Sequence, residues 1–242
     1  MTKFDKSNWA KPEFSRGYRE NADVIILERR RMLDVLRSFY DHFVKDGASK
    51  RILDLGCGDG IVTSVLAKTD PEIRPTLVDG SRDMLAKARE RLNGRRSARY
   101  IHATFQDLLA GNVLRGPFDF IASSLAIHHL TMEEKAALYK KVHGLLKQGG
   151  HFVNIDVVLA PSSRLEQWYL ALWRDWIDEQ RWNLSMAPDA IGDIIGNYKK
   201  AEENRPDTLQ DQLDALRNIG FNDVDCYYQL GIFTMFGGKK EA

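Results

Sequence analysis

The chain has 242 residues, is 43% hydrophobic and 29% charged, and carries a formal net charge of +1. That composition predicts an ordinary folded domain with one core, and the near-neutral balance argues against a long nucleic-acid substrate or an anionic membrane surface as partner. No apolar stretch approaches the roughly 20 residues of a bilayer-spanning helix, and the N-terminal "MTKFDKSNWAKPEF" lacks a signal-peptide core, so a cytoplasmic protein that meets neither membrane nor nucleic acid is expected. Cys57 and Cys226 stand far apart and in no metal-ligand spacing, which predicts free thiols and no metal.

In chain order, apolar residues from Val24 to Phe43 recur at helical spacing and predict one amphipathic helix over 22–44. A strand at Arg51–Leu55 runs into a glycine turn and a helix from Gly60 to Lys68. A strand at Arg74–Val78, a helix at Ser81–Leu92 and a strand at Ala98–Ala103 follow. "FDFIASSLAI" is apolar almost throughout and reads as a central strand buried on both faces. Thr131 and Glu134 form a capping box for a helix that runs to Leu146, with "KQGG" as its stop signal before the strand "HFVNIDVV". The closing "GFNDVDCYYQLGIFTMFGG" holds two strands close enough for a hairpin. Strands alternating with helices predict an α/β fold around a mostly parallel sheet with helices on both faces.

The stretch "RILDLGCGDG" places Asp54 at the end of an apolar strand, followed by Gly56, Gly58 and Gly60. Such a turn lets a ligand approach main-chain N–H groups at a helix start. Its spacing is GxGxG, so the GxGxxG of dinucleotide sites is not met. Asp79, about 20 residues further on at the end of the second strand, is where a carboxylate takes both hydroxyls of a ribose.

Together "ILDLGCGDG", "LVDGSRDML", "FDFIASSLAIHHL" and "LLKQGGHFVNID" resemble the class I S-adenosylmethionine-dependent methyltransferases, over about Arg51 to Asp156. The resemblance implies a Rossmann-like seven-stranded sheet, six strands parallel and the last antiparallel, with S-adenosyl-L-methionine as cofactor. It assigns cofactor contacts to Asp54, Gly56, Cys57 and Gly58 in the glycine loop, to Asp79 at the ribose, to Met84 near the adenine, and to Ser123 and Ser124 at the methionine end. One departure concerns the acidic residue that commonly ends the third strand of such enzymes. Thr104 stands in that slot with Phe105 next, and either Asp107 serves instead or main chain and Phe105 make the contact. The whole chain is expected to be one methyltransferase domain: a helical lid over 1–46, the cofactor-binding core over 47–158, a helical insertion over 159–204, and a closing helix with the strand hairpin over 205–242.

A sulfonium methyl group is already electrophilic, so the expected reaction is in-line transfer to O, N or S of a small-molecule acceptor. His128 and His129 follow the fourth strand, where either serves as a general base or packs and caps locally. The segment "WAKPEFSRGYRENAD" resembles the part that closes over the active site in small-molecule members of the family. It offers Tyr18 as a catalytic candidate and Phe14 for the acceptor, with Arg19 as a clamp for an acidic group. The stripe Leu165, Trp168, Tyr169, Leu172, Trp173, Trp176 and Ile177 predicts a helix whose apolar face packs inward, with Trp168 and Trp173 as acceptor-lining candidates. A homodimer is the assembly this reading allows. Two alternatives stay open at this level: a non-catalytic S-adenosylmethionine-binding protein, and a nicotinamide-dependent oxidoreductase on a similar fold.

Overall fold

The computed structural model describes residues 4, 7–111, 113–187 and 190–241. After a 3-10 turn at Asn8–Ala10, the elements run α1 (Pro12–Ile25), α2 (Arg29–Phe43), β1 (Arg51–Leu55), α3 (Ile61–Thr69), β2 (Arg74–Asp79), α4 (Arg82–Arg91), β3 (Arg99–His102), α5 (Phe105–Ala110) and β4 (Phe118–Ser124). A second 3-10 turn at Ile127–His129 leads to α6 (Met132–Leu145), β5 (Leu146–Val157), α7 (Ser163–Asn183), α8 (Ile194–Lys200), α9 (Leu209–Ile219), β6 (Phe221–Leu230) and β7 (Phe233–Lys240).

Among the described residues seven strands form one sheet in the order β3-β2-β1-β4-β5-β7-β6. β1 to β5 pair in parallel, while β7 runs antiparallel to both β5 and β6. The expected hairpin is therefore present, with β7 inserted inside the sheet and β6 at its edge. Because β1 lies between β2 and β4, the strand order reverses across β1, and a crevice opens at the carboxyl ends of these strands. Among the described residues no helix is long and apolar enough to cross a membrane.

Alternation along the strands divides the core between the two faces of the sheet. Ile52 of β1 joins Phe120, Val153, Ile155 and Met235 against α1, α2, α3 and α7. Its neighbour Leu53 joins Ile121, Phe152 and Phe236 against α6 and α9. Each such side chain, removed fully from water, contributes about 1.5–3 kcal/mol, which explains why β4 is apolar on both sides.

The single helix expected over 22–44 is two helices. α1 ends at Ile25, Ile26 is extended, and Glu28 enters the left-handed region at φ 52° before α2 begins. No glycine or proline marks the break, and the apolar phase continues across it because Ile26 and Leu27 are themselves buried. The last carbonyls of α1 lack intrahelical donors, and two indoles of α7 supply them: Trp173 Nε1 donates to the Ile25 carbonyl at 2.6 Å and Trp176 Nε1 to that of Val24 at 3.0 Å. The aromatic stripe of α7 is thus packing and capping. Trp173 is buried against Tyr198 and Phe233, whereas Trp168 is exposed, and neither lines the cavity at the strand ends.

Two further boundaries differ from expectation. α6 stops at Leu145, and "KQGG" belongs to β5, which starts at Leu146 and carries an irregular register against β4 between Phe118 and Phe120. The short α5 was not anticipated, although Thr104 and Asp107 give it a capping box.

Asp54 ties β1 to α3: its Oδ2 accepts from the Thr63 N–H at 3.2 Å and the Thr63 hydroxyl at 2.7 Å, while its buried Oδ1 has no partner among the described residues. Burial pushes this carboxyl up to about 7, against the pull of the Thr63 bonds.

Two outcomes are expected. Trp173→Phe leaves the partly buried Ile25 carbonyl without its indole donor, so denaturant unfolding should show a loss of about 1–3 kcal/mol, and an unchanged midpoint would refute that cap. An acid with a higher pKa folded than unfolded favours the native state at low pH, and that contribution is lost as pH rises from 3.8 through about 7. Asp54→Asn cannot ionise, so it should flatten the decline in unfolding temperature between about pH 4 and 7. An unaltered profile would mean that folded Asp54 titrates as an ordinary carboxylate.

Candidate active site

A cavity of about 480 Å³ opens at the carboxyl ends of the parallel strands. Its wall is built from Gly56, Cys57 and Gly58 after β1, Asp79 and Gly80 after β2, Ala103 to Gln106 after β3, and Ser124 to Ala126 with His129 after β4. Phe4, Trp9, Tyr18 and Arg19 of the N-terminal segment cover it, and Glu202, Glu203 and Arg205 close the side between α8 and α9.

At the glycine end the backbone geometry is strict. Gly56 has φ 60°, and a Cβ there would lie 2.4 Å from Ala126 Cβ and 3.3 Å from the Phe105 ring. Gly58, at φ 53°, would project a Cβ into open space, so its absence enlarges the cavity. Asp79 is immobilised by main chain: its Oδ2 accepts from the Gly58 N–H at 2.8 Å and its Oδ1 from the Ser81 N–H at 2.7 Å. Burial raises the Asp79 pKa, with those two bonds opposing the shift. Burial likewise pushes the Cys57 thiol up, so the thiol stays protonated. On β4's exit, Leu125 adopts φ 52° with its N–H on the Ile155 carbonyl at 2.7 Å, a strained position at the cavity wall.

Met84, Thr104 and Phe105 line this end. Asp107 does not: its Oδ2 accepts from the Thr104 N–H and hydroxyl, both at 2.8 Å, so the carboxylate is occupied in capping α5. Asp54 and Ser123 also stand off the wall, Asp54 on Thr63 and Ser123 with its hydroxyl on the Leu55 carbonyl at 2.8 Å. Ser124 does line it. Arg19 lies beside Met84 but pairs with Asp83 at 2.8 Å, latching α1 onto α4.

The opposite end is aromatic. Trp9 packs edge-on against Tyr18 with centroids 4.9 Å apart, and stands 6.0 Å from the His129 ring. The hydroxyl of Tyr18 is pushed up to about 12 by burial, with Arg29 pulling the other way. His129 Nδ1 lies 3.1 Å from the Glu203 carbonyl, which only accepts, so Nδ1 carries the proton and the lone pair sits on Nε2. That Nε2 is buried without a partner among the described residues, and burial, then the neighbouring His128, push the ring down to about 3. His128 lies behind it, off the cavity wall, with its N–H on Asp156 Oδ2 at 3.0 Å and Nδ1 2.5 Å from Asp156 Oδ1. Burial opposes ionisation of Asp156, but the charge and hydrogen bond of His128 outweigh it and hold the carboxyl below its ordinary range.

Phe14 is half-exposed and packs on the outer side of Trp9, outside the cavity wall. The residues that sequence reasoning passed over are Trp9, Arg29, Glu134, Glu203 and Arg205. Trp9 sits in a segment singled out for closing the site, but the 202–205 loop carries no motif and reaches the cavity only through the fold. Among the described residues no group of three or more His, Cys, Asp or Glu side chains is arranged to hold a metal ion.

A family model described as a methyltransferase domain matches residues 52–150. An uncharacterized methyltransferase of Mycobacterium bovis is 31% identical over 122 residues, which cover 50% of this chain and 57% of that protein. The chain thus matches little more than half of that relative's length. A carboxy-S-adenosyl-L-methionine synthase of Chromohalobacter salexigens is 27% identical over 219 residues, 87% of this chain and 75% of that one. Among solved structures, magnesium protoporphyrin IX methyltransferase from Synechocystis with bound S-adenosylhomocysteine superposes with a TM-score of 0.65 at 13% identity, covering 96% of both chains. The match over residues 52–150 and the strand order together make this region a methyltransferase domain on the class I S-adenosylmethionine-dependent methyltransferase fold.

Proposed function

We propose that the protein binds S-adenosylmethionine across the ends of β1 and β2 and transfers its methyl group in line to O, N or S of a small-molecule acceptor. The observation that carries this reading is one continuous cavity with the glycine loop and Asp79 at one end and Trp9, Tyr18 and His129 at the other. Its volume of about 480 Å³ falls in the range of pockets that enclose small ligands. The residues fit the cofactor: the bare Gly58 leaves room beside the main chain, and Asp79, fixed by two N–H groups, keeps lone pairs for vicinal hydroxyls.

When bound, S-adenosylmethionine supplies a methyl group already activated by its sulfonium, which leaves the chain the tasks of positioning and shielding. Asp79 orients the ribose; Met84 and Phe105 offer apolar surface to the base. Cys57, kept as a neutral thiol by burial, does not compete for the methyl group. Trp9 and Tyr18 cover the reacting end and exclude water.

A second reading, formation of a carboxylated S-adenosylmethionine, is supported by one observation: the carboxy-S-adenosyl-L-methionine synthase aligns over 87% of this chain, the uncharacterized methyltransferase over 50%. Mass spectrometry of the turnover mixture separates the two. S-adenosylhomocysteine with a methylated acceptor supports the first, and a carboxylated cofactor the second.

Calorimetric titration with S-adenosylmethionine, S-adenosylhomocysteine and NAD is expected to show micromolar binding of the first two alone; binding of NAD instead would overturn both readings. Asp79→Ala is expected to weaken S-adenosylhomocysteine binding at least fivefold, about 1–3 kcal/mol, in protein whose thermal unfolding shows it folded. Unchanged affinity would remove Asp79 from the cofactor site.

A further inference from the structure

Gly80 follows Asp79 at the end of β2, and its backbone lies outside the left-handed region that favours glycine. Backbone conformation alone therefore does not require a glycine there. The space that a side chain would fill is taken by Phe4: a Cβ on residue 80 would stand 2.7 Å from Cε2, 2.9 Å from Cδ2 and 3.0 Å from Cζ of that ring. The Gly80 carbonyl is fixed from β3, accepting from His102 Nε2 at 2.9 Å.

This contact is not part of the core. Phe4 belongs to none of the three apolar clusters of the described residues and stays partly exposed. Instead it lines the cavity with Asp79, Gly80 and Met84, at the end assigned to the ribose and base of the cofactor. Its own carbonyl is held by Ser7, which donates both its N–H, at 2.9 Å, and its hydroxyl, at 2.8 Å. Two residues further on, Trp9 reaches Tyr18 and His129 at the opposite end. One short stretch of chain thus touches both ends of the cavity.

Resting on the cofactor reading above, we propose that Phe4 is a cofactor-binding residue whose ring covers the adenosine half of S-adenosylmethionine beside Asp79, in the place a side chain at residue 80 would otherwise occupy. An aromatic ring suits a purine, and the cover takes apolar surface of the nucleoside out of water. Through Ser7 the same contact steadies Asn8 and Trp9. A bound nucleoside therefore tightens the acceptor end, and by reciprocity an acceptor held under Trp9 retains the cofactor. The N-terminal segment is then a wall of the cofactor site as well as a cover for the acceptor.

The test titrates the full chain with S-adenosylhomocysteine. Phe4→Ala should weaken binding by about fivefold or more, with the unfolding temperature of the free protein unchanged, since the ring is outside the core. Gly80→Val, whose added methyl groups displace the ring, should weaken binding to a similar extent. The same substitution should cost less than about twofold further in Phe4→Ala protein, where no ring is left to displace. Backbone amides of residues 7–11 should exchange more slowly once S-adenosylhomocysteine binds, and Phe4→Ala should abolish most of that slowing. Unchanged or tighter affinity in Phe4→Ala, or fully additive losses in the double variant, overturns the assignment of Phe4 and leaves the cofactor reading standing. Equal slowing of exchange with and without the ring overturns the link from Phe4 to Trp9. Failure of the unaltered chain to bind S-adenosylhomocysteine removes the cofactor reading and the role of Phe4 with it.

Discussion

The site depends on one close approach. Three chain segments, the loop after β1, the start of α5 and the exit from β4, meet at Gly56, where a single methyl group would stand 2.4 Å from Ala126. Any side chain would have to push β4's exit outward or turn Phe105 aside, and both line the cavity. The left-handed Leu125 belongs to the same arrangement: the chain leaves β4 in an unfavourable conformation so that Ala126 lands on the glycine. Backbone strain at one segment and a missing side chain at its neighbour together set the shape of the floor.

Around that floor the polar groups are spent on one another before any ligand arrives. Asp107 caps α5, Asp54 fastens α3, Asp156 orients His128, and Arg19 latches α1 to Asp83. Lys135, fully buried, binds Asp207 and the Arg205 carbonyl, while the Arg205 N–H reaches the His128 carbonyl at 2.7 Å. The loop that carries Glu203 is therefore braced from beneath by α6 and the turn after β4. Among the described residues its carboxylate is bonded by Asn8.

The end of the cavity built from the glycine loop and Asp79 was legible because its physics is local. A strand, a glycine turn and an acid after the next strand recur within thirty residues, and each residue type is demanded by backbone approach or by a pair of hydroxyls. Of the opposite end only Tyr18 and His129 were legible, because Trp9 and Glu203 join them through folding and no motif connects the four. His128 and His129 were indistinguishable as neighbours in sequence. Burial and Asp156 separate them, turning one away and leaving the other on the wall. Trp168 and Trp173 misled for a related reason. A helical aromatic stripe specifies an apolar face but not what lies opposite, and what lies opposite is the frayed end of α1. The break between α1 and α2 escaped notice since buried Ile26 and Leu27 keep the helical phase where the helix itself is absent.

The two indole bonds from α7 to the end of α1 also decide where the cover over the cavity can give way. Swinging the segment about residues 26–28 would strip both tryptophan bonds, the Arg19–Asp83 latch and the buried side chains of Ile26 and Leu27. Among the described residues, lifting only the part before Pro12 breaks two bonds between Asn8 and Glu203 at a partly exposed surface and parts Trp9 from Tyr18 and His129. The lower-cost motion is the second, so the doorway is the stretch around Trp9, and α1 is its fixed frame. Exchange of residues 7 to 11 would then change what enters, with the sheet and the cofactor floor left as they are.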